Sequence, residues 1–282
     1  MLLAVALFAL MDAGLKLLSV HYPALQVAAL RGLSSLPFVL VWVLASAPLV
    51  SLWRVHWPMH LLRGVLGVAM MAGFIHGLRQ LPMGTAYAIV FIAPLLVTAM
   101  AGPLLKETVG RRRWAAICIG LCGVLVILRP GGDGLLTSAG LALLLAAFCW
   151  AASALTTRLL AQRDSNQAMV LWLMVALSLG AGLLAWPQWQ ALEWRHAWVI
   201  AGVGLTGTLA QIALTEAFRR GEASLVAPLE YTALVWATIL DVTLWHVLPD
   251  ALSWLGAAII VASGLYLLRR EPALARVEAE HP

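Results

Sequence analysis

The chain has 282 residues, of which 62% are hydrophobic and only 11% are charged, with a net charge of +5. Soluble domains are about 45–50% apolar and about 25% charged. So few charges cannot cover the surface of a soluble protein of this length, and intrinsic disorder requires a far less hydrophobic composition. The composition therefore predicts an integral membrane protein. In such a protein the positions of the basic residues indicate which side of the bilayer each loop faces.

Windows of about 20 apolar residues, the length that crosses a bilayer as a helix, predict ten spans. In chain order the spans cover residues 1–20, 24–47, 59–79, 83–104, 113–129, 138–161, 168–187, 197–218, 222–246 and 250–269. The connecting segments are short and carry Pro, Gly, Asn and Ser, which are typical of turns. The sequence therefore predicts an all-α polytopic membrane protein with ten transmembrane helices.

Basic residues are distributed unevenly between the two ends of the predicted spans. Of the 18 Lys and Arg residues, 13 fall on the side that holds both termini and 3 fall on the opposite side, while Lys16 and Arg31 lie inside spans. Positively charged loops stay in the cytoplasm. We therefore expect cytoplasmic N- and C-termini in the inner or plasma membrane, and the positive charge gives no reason to expect a nucleic-acid partner.

The two halves of the chain resemble each other at a fixed offset of 140 residues, although chance similarity between hydrophobic segments remains an alternative. The offset aligns Phe8 with Phe148, His56 with His196, Gly64 with Gly204, and Trp114 with Trp254. Each half holds five predicted spans, an odd number, so the second half enters the membrane inverted, as in many secondary transporters. The predicted organisation is a first repeat over 1–129, an external linker over 130–137, a second repeat over 138–270 and a cytoplasmic tail over 271–282.

Two stretches, one late in each half, carry a resemblance to a known family. They read TAYAIVFIAPLLVTAMAGPLLKETVGRRRWAAICIGLCGVLVILRP and ASLVAPLEYTALVWATILDVTLWHVLPDALSWLGAAIIVASGLYLLRR. With a proline in span four, a Lys-Glu after it and Gly-rich spans five and ten, the chain resembles the EamA-type ten-helix carriers of the drug/metabolite transporter superfamily. It is most similar to YddG-like amino-acid exporters, although LWHVLPD lacks the glutamate that often follows span nine in the family.

The resemblance implies a carrier rather than an enzyme. It implies export of small metabolites, amino acids or related amphipathic solutes, by alternating access to a central cavity. A multidrug or other metabolite carrier and a membrane-embedded enzyme are the alternatives, but no Gly-Asp pair occurs within a span and His76 has no obvious serine partner.

Three ionisable side chains lie inside the first two spans, where they are costly and usually face a cavity or a partner. Asp12 and Lys16 are four residues apart on one helix face. They form a self-neutralising pair, or Asp12 binds a substrate ammonium group or a coupling proton. Arg31 either snorkels outward or meets Asp12 or a substrate carboxylate.

Span nine carries two further carboxylates. Glu230 follows Pro228, which removes a backbone hydrogen bond and favours a break that often marks a cavity. Glu230 is therefore a candidate for substrate contact, with a structural ion pair as the alternative. Asp241 lies nearer the outer end and is expected to be solvated or to form a gate. Pro228 and Pro94 are the predicted hinges.

A second pair of gate candidates comes from the repeat. His76 and Glu216 occupy equivalent positions in the two halves, each three residues before an arginine. Inversion would place them near opposite membrane surfaces as two gates. The alternative is that His76 lies at a helix interface with its hydrogen bonds made to neighbouring helices. On span eight, Gln211 shares a face with two threonines, and such polar groups either line a pathway or join helices.

Aromatic residues deep in the spans are the last candidates. Trp150 and Trp236 lie near mid-span, and with Tyr87 and Tyr231 they could form an aromatic wall around an apolar or aromatic substrate, or simply pack against lipid or core. The predicted substrate-binding set is Asp12, Tyr87, Trp150, Gln211, Glu230, Tyr231 and Trp236. We expect a small-molecule substrate, and the chain is compatible with a monomer. We expect no metal, because the cysteines form no ligand motif. We expect no dinucleotide cofactor, because GVGLTG at 202–207, which matches the G-x-G-x-x-G pattern, lies within a membrane span.

Overall fold

The computed structural model describes residues 1–46, 50–93, 95–97, 99–100, 111–128, 137–160, 163–220, 232–263 and 266, which form helices and turns without a β-strand. We number the helices that coincide with the predicted spans α1 to α10. They are Leu2–Ser19, Ala24–Ser46, Trp57–Gln80, Met83–Val90, Arg111–Leu128, Ser138–Leu160, Asn166–Ala176, Ala197–Arg220, Ala233–Leu240 and Ala251–Ser263.

Six of these helical regions are long and apolar enough to cross a membrane within the described part of the chain. They belong to α1, α2, α3, α6, α7 with its continuation to Gln188, and α8. Shorter apolar helices cover Met83–Val97, Ala233–Trp245 and Ala251–Ser263. The predicted all-α polytopic membrane fold is therefore confirmed.

Two helices depart from regular α geometry at positions that the sequence analysis does not predict. After α7 the chain continues through a π-helical turn, Leu177–Ala181, and α9 is followed by another, Asp241–Trp245. His246 then ends the second turn in the left-handed region, with φ of 55°. Because π turns widen the backbone and often occur at functional sites, the second one bears on the position of Asp241.

The two halves of the chain pack against each other through small residues. α3 lies along α6, and α1 lies along α8, so each of these contacts joins one predicted repeat to the other. A Cβ added at Gly73 of α3 would lie 2.6 Å from the backbone oxygen of Ala142 on α6. Small side chains thus let the helix backbones approach closely, as is common in membrane bundles.

Two apolar cores flank the middle of the bundle. One lies among α1, α2, α3, α7 and α8 and includes Leu15 and Ile75. The other lies among α1, α3, α4, α6, α9 and α10 and includes Ile89 and Leu143. α1 and α3 contribute to both cores, so these two helices lie between them.

The close approach of α3 and α6 gives a stability prediction. We expect Gly73→Ala to destabilise the protein by about 1–3 kcal/mol, because its Cβ would overlap backbone that cannot move aside cheaply. Thermal unfolding of purified protein in detergent measures the effect.

Gly202→Ala is the matched control, since a Cβ there meets nothing within 4 Å. Alanine also favours helix over glycine by about 1 kcal/mol, so the control is expected to be neutral or stabilising. Equal melting temperatures for the two variants would contradict the close packing of α3 on α6.

Candidate substrate cavity

A cavity lies in the middle of the bundle, with walls from α1, α2, α3, α4, α6, α8 and α9. Its empty volume, including its open mouth, is about 940 Å³. Its lining is mostly apolar with a few polar groups, as in ligand pockets generally. The cavity extends from Asp12 and Arg31 to Met1 and Val5 at the start of α1 and Leu214 near the end of α8.

Stacked aromatic rings form part of the cavity wall. Tyr87 stacks on Phe74 of α3 with ring centroids 5.9 Å apart, and on Phe91 at 6.1 Å with an interplanar angle of 11°. Such offset stacks are the favoured arrangement of aromatic pairs. We call Phe74, Tyr87 and Phe91 the aromatic ladder; Phe8 and Trp150 also line the cavity.

Asp12 connects the aromatic ladder to the charged part of the cavity. The carboxylate is buried, with 6% of the residue exposed, and it accepts a 2.5 Å hydrogen bond from the Tyr87 hydroxyl. The two residues come from α1 and α4, which the fold brings together. A carboxylate has several acceptor positions, so Asp12 retains acceptor capacity beyond the bond from Tyr87.

Arg31 of α2 does not snorkel outward. Only 7% of the residue is exposed, and it lines the cavity together with Asp12. Its Nε donates to the sulfur of Met11 at 3.3 Å, and its Nη1 donates to the sulfur of Met71 at 3.8 Å. Thioether sulfurs are weak acceptors, so the contacts of Arg31 with the described residues leave several of its five N–H groups without a strong acceptor there.

The self-neutralising pair of Asp12 and Lys16, one of the two alternatives from the sequence, does not form. The Lys16 ammonium instead donates to Oδ1 of Asp241 at 3.2 Å and lies 4.4 Å from the centre of the Trp245 ring. Asp241 is not solvated either, because none of its surface is exposed. The π turn after α9 carries this carboxylate into the bundle.

Asp241 also caps the N-terminus of α4. Its carboxylate accepts hydrogen bonds from the backbone N–H of Met83 at 3.0 Å and of Gly84 at 2.8 Å. Helix N-termini carry unpaired N–H groups and a partial positive charge that favour an anion. We call Lys16, Asp241, Trp245 and the first turn of α4 the polar seal, since it joins α1, α4 and α9 at the end of the bundle opposite Met1.

The other predicted site residues lie away from the cavity or outside the described residues. His76 hydrogen-bonds Ser138 at 3.1 Å and Gln80 at 2.7 Å, as the interface alternative anticipated. Gln211 and Trp236 do not line the cavity, and Trp236 is 39% exposed. The residues outside the described part are Glu230, Tyr231, Pro94 and Pro228, together with the side chain of Glu216.

Sequence reasoning missed several residues of the cavity. Met11 and Met71 contact Arg31, and Phe74 and Phe91 complete the aromatic ladder. One signal was available, because Tyr87 and Phe91 are four residues apart and therefore share a helix face. The sequence holds no comparable signal for the methionines, which come from two different helices.

A helical bundle around a central cavity is an architecture that membrane transporters share. The chain belongs to the EamA-like transporter family, whose model matches residues 1–129 and 137–269. This confirms the family that the sequence resembles.

Curated relatives of the chain are also transporters. It is 30% identical to the riboflavin transporter of Vibrio cholerae serotype O1, over 99% of this chain and 94% of that protein. It is 31% identical to the riboflavin transporter of Rhizobium johnstonii, over 85% and 78%, and 26% identical to the pseudopaline exporter of Pseudomonas aeruginosa, over 93% and 92%. These names do not extend to amino acids, so the narrower similarity to amino-acid exporters is not shown.

The polar seal gives a second prediction. We expect Lys16→Met and Asp241→Asn each to cost about 3–5 kcal/mol, because each leaves a buried charge without its partner. The double variant should cost clearly less than the two single changes together. Chemical unfolding in mixed micelles measures all three.

The matched control is the exposed pair of Glu193 and Arg195, in which Glu193→Gln should leave the unfolding midpoint unchanged. Strict additivity of the Lys16 and Asp241 variants would show that the two side chains do not interact.

Proposed function

We propose that this protein carries a flat heteroaromatic metabolite of the riboflavin type across the membrane. The observation that carries the proposal is the aromatic ladder in a mostly apolar cavity. Stacking of a heteroaromatic base on an aromatic side chain contributes about 1–3 kcal/mol per ring. Riboflavin has a flat fused ring and a polar chain, which suits apolar walls with a few polar groups.

The relatives support the same substrate class. Two of them, at 30% and 31% identity, are named riboflavin transporters. The first covers nearly the whole of both chains. Similarity of this extent makes riboflavin the first solute to test.

Transport proceeds by alternating access in this proposal. The polar seal closes one end of the bundle, while the cavity reaches toward the other end. Opening the sealed end requires separation of Lys16 from Asp241, which gives these two residues the role of a gate. The hinges at Pro94 and Pro228 and the contacts of Glu230 and Tyr231 remain predictions from the sequence.

The charge distribution supports an orientation. With 13 of 18 basic residues on the side of the termini, we propose that both termini are cytoplasmic. The polar seal then lies at the outer surface, and the cavity faces the cytoplasm, as a carrier must when it loads a solute for export. Two inverted repeats over 1–129 and 138–270 are part of the proposal, and the two stretches matched by the family support them.

Amino-acid export is a second candidate, favoured by one observation. Asp12 and Arg31 line the same cavity with opposite charges, which suits the ammonium and carboxylate groups of a zwitterion. An aromatic amino acid would also use the aromatic ladder. Transport assays should therefore include labelled tryptophan beside riboflavin.

Counterflow in proteoliposomes tests the proposed function. We expect saturable exchange of labelled for unlabelled riboflavin, and a half-saturation concentration about 5–10-fold higher in Trp150→Leu, because one aromatic face of the cavity is lost. Trp198→Leu is the matched control, since Trp198 is 73% exposed on the outside of the bundle. It should leave transport unchanged within about twofold.

Two results would contradict the proposal. One is the absence of riboflavin counterflow from correctly folded protein, and the other is an equal response of transport to Trp150→Leu and Trp198→Leu. Saturable exchange of tryptophan without riboflavin would favour the second candidate.

A further inference from the structure

Arg31 is a buried cation in the cavity wall with weak acceptors around it in the described part of the chain. Its guanidinium lines the cavity, and among the described residues it donates to two thioether sulfurs. Among the described residues, no carboxylate oxygen lies within 4.0 Å of its nitrogens. A buried polar group without a strong partner is unfavourable, so acceptor atoms of a ligand in the cavity would stabilise the Arg31 guanidinium.

Asp12 supplies the complementary acceptor in the same cavity. Its Oδ2 accepts from Tyr87, which fixes the carboxylate beside the aromatic ladder. Asp12 and Arg31 line the same cavity without forming an ion pair within 4.0 Å, so both side chains are accessible to a ligand in the cavity. The cavity therefore presents an acceptor and a set of donors next to a surface for a flat ring.

A ligand that satisfies both groups needs a donor next to an acceptor. An anion would pair with Arg31 but be repelled by Asp12, and a cation would pair with Asp12 but be repelled by Arg31. A zwitterion, the second candidate solute, would satisfy both groups but would have to leave its hydration shell with two full charges. A neutral group with adjacent N–H and C=O satisfies both and adds no net charge to the membrane interior, where an uncompensated charge is expensive. An amide or imide edge of a heteroaromatic ring has this pattern.

We propose that Asp12 and Arg31 form a subsite for the amide or imide edge of the transported ring. The carboxylate of Asp12 accepts the ring N–H, and the guanidinium of Arg31 donates to the adjacent carbonyl oxygen. The ring itself lies against the aromatic ladder. The inference rests on the proposed function, because the edge belongs to the solute that the aromatic ladder binds.

The test compares riboflavin with N3-methylriboflavin, which lacks the imide N–H and keeps the ring and the side chain. In proteoliposomes with the full chain, we expect the methyl analogue to need at least about a tenfold higher concentration for half-saturation. In Asp12→Ala this ratio should fall below about threefold, since the partner of the N–H is gone. Asp12→Asn provides a milder second variant, with a smaller fall in the ratio.

Arg31→Lys keeps the positive charge but loses the planar set of guanidinium donors. Both flavins should therefore bind about tenfold more weakly, and the ratio of their half-saturation concentrations should stay the same. Arg63→Lys is the matched control: Arg63 is also buried, but it donates to the Met169 carbonyl and does not line the cavity. It should change neither half-saturation value by more than about twofold. Gel filtration and thermal unfolding establish that each variant is folded.

Failure of the subsite is distinguishable from failure of the proposed function. Saturable riboflavin transport with equal half-saturation for the two flavins would overturn the subsite and leave the proposed function standing. A ratio that persists unchanged in Asp12→Ala would also overturn it, because the methyl group would then be rejected elsewhere. Absence of riboflavin transport by folded wild-type protein would overturn both.

Discussion

The carboxylate of Asp241 is the point on which the positions of the other groups depend. A charge buried in a membrane bundle persists only where it is paired and hydrogen-bonded, and Asp241 meets this condition with Lys16 and the first turn of α4. One helical turn from Lys16 along α1 lies Asp12, and one turn from the α4 cap lies Tyr87. The polar seal thus sets the register of α1 against α4, which brings the Tyr87 hydroxyl to Asp12.

The same constraint links the fold to transport. Each ionisable group inside the cavity region is held in a defined place: Lys16 and Asp241 satisfy one another, whereas Asp12 and Arg31 face a space that a solute can fill. In the proposed alternating access, opening the sealed end separates Lys16 from Asp241, and water then replaces part of their lost contact. A bound solute shifts this equilibrium only by the difference between its affinities for the closed and open states.

The fold could be predicted almost entirely from the sequence, because long apolar runs have one stable solution in a bilayer. Asp12, Tyr87 and Trp150 were also found, since polar and aromatic groups stand out in such spans. The partner of Lys16 could not be found, because spacing along α1 favours Asp12 and nothing local reveals the π turn that delivers Asp241. The sequence also did not show that Gln211 and Trp236 lie outside the lining of this cavity, because the sequence of a helix that is apolar all round does not show which face meets lipid.

The central claim is that a flat ring binds against Phe74, Tyr87 and Phe91, and equilibrium binding tests it most directly. Riboflavin emission should be quenched on titration with purified protein in detergent, because stacking on aromatic side chains quenches flavin fluorescence. We expect the quenching to saturate at one riboflavin per chain. Lumichrome, which has the flat ring without the polar chain, should displace riboflavin and restore its emission. Unchanged riboflavin emission in the presence of excess folded protein would contradict it.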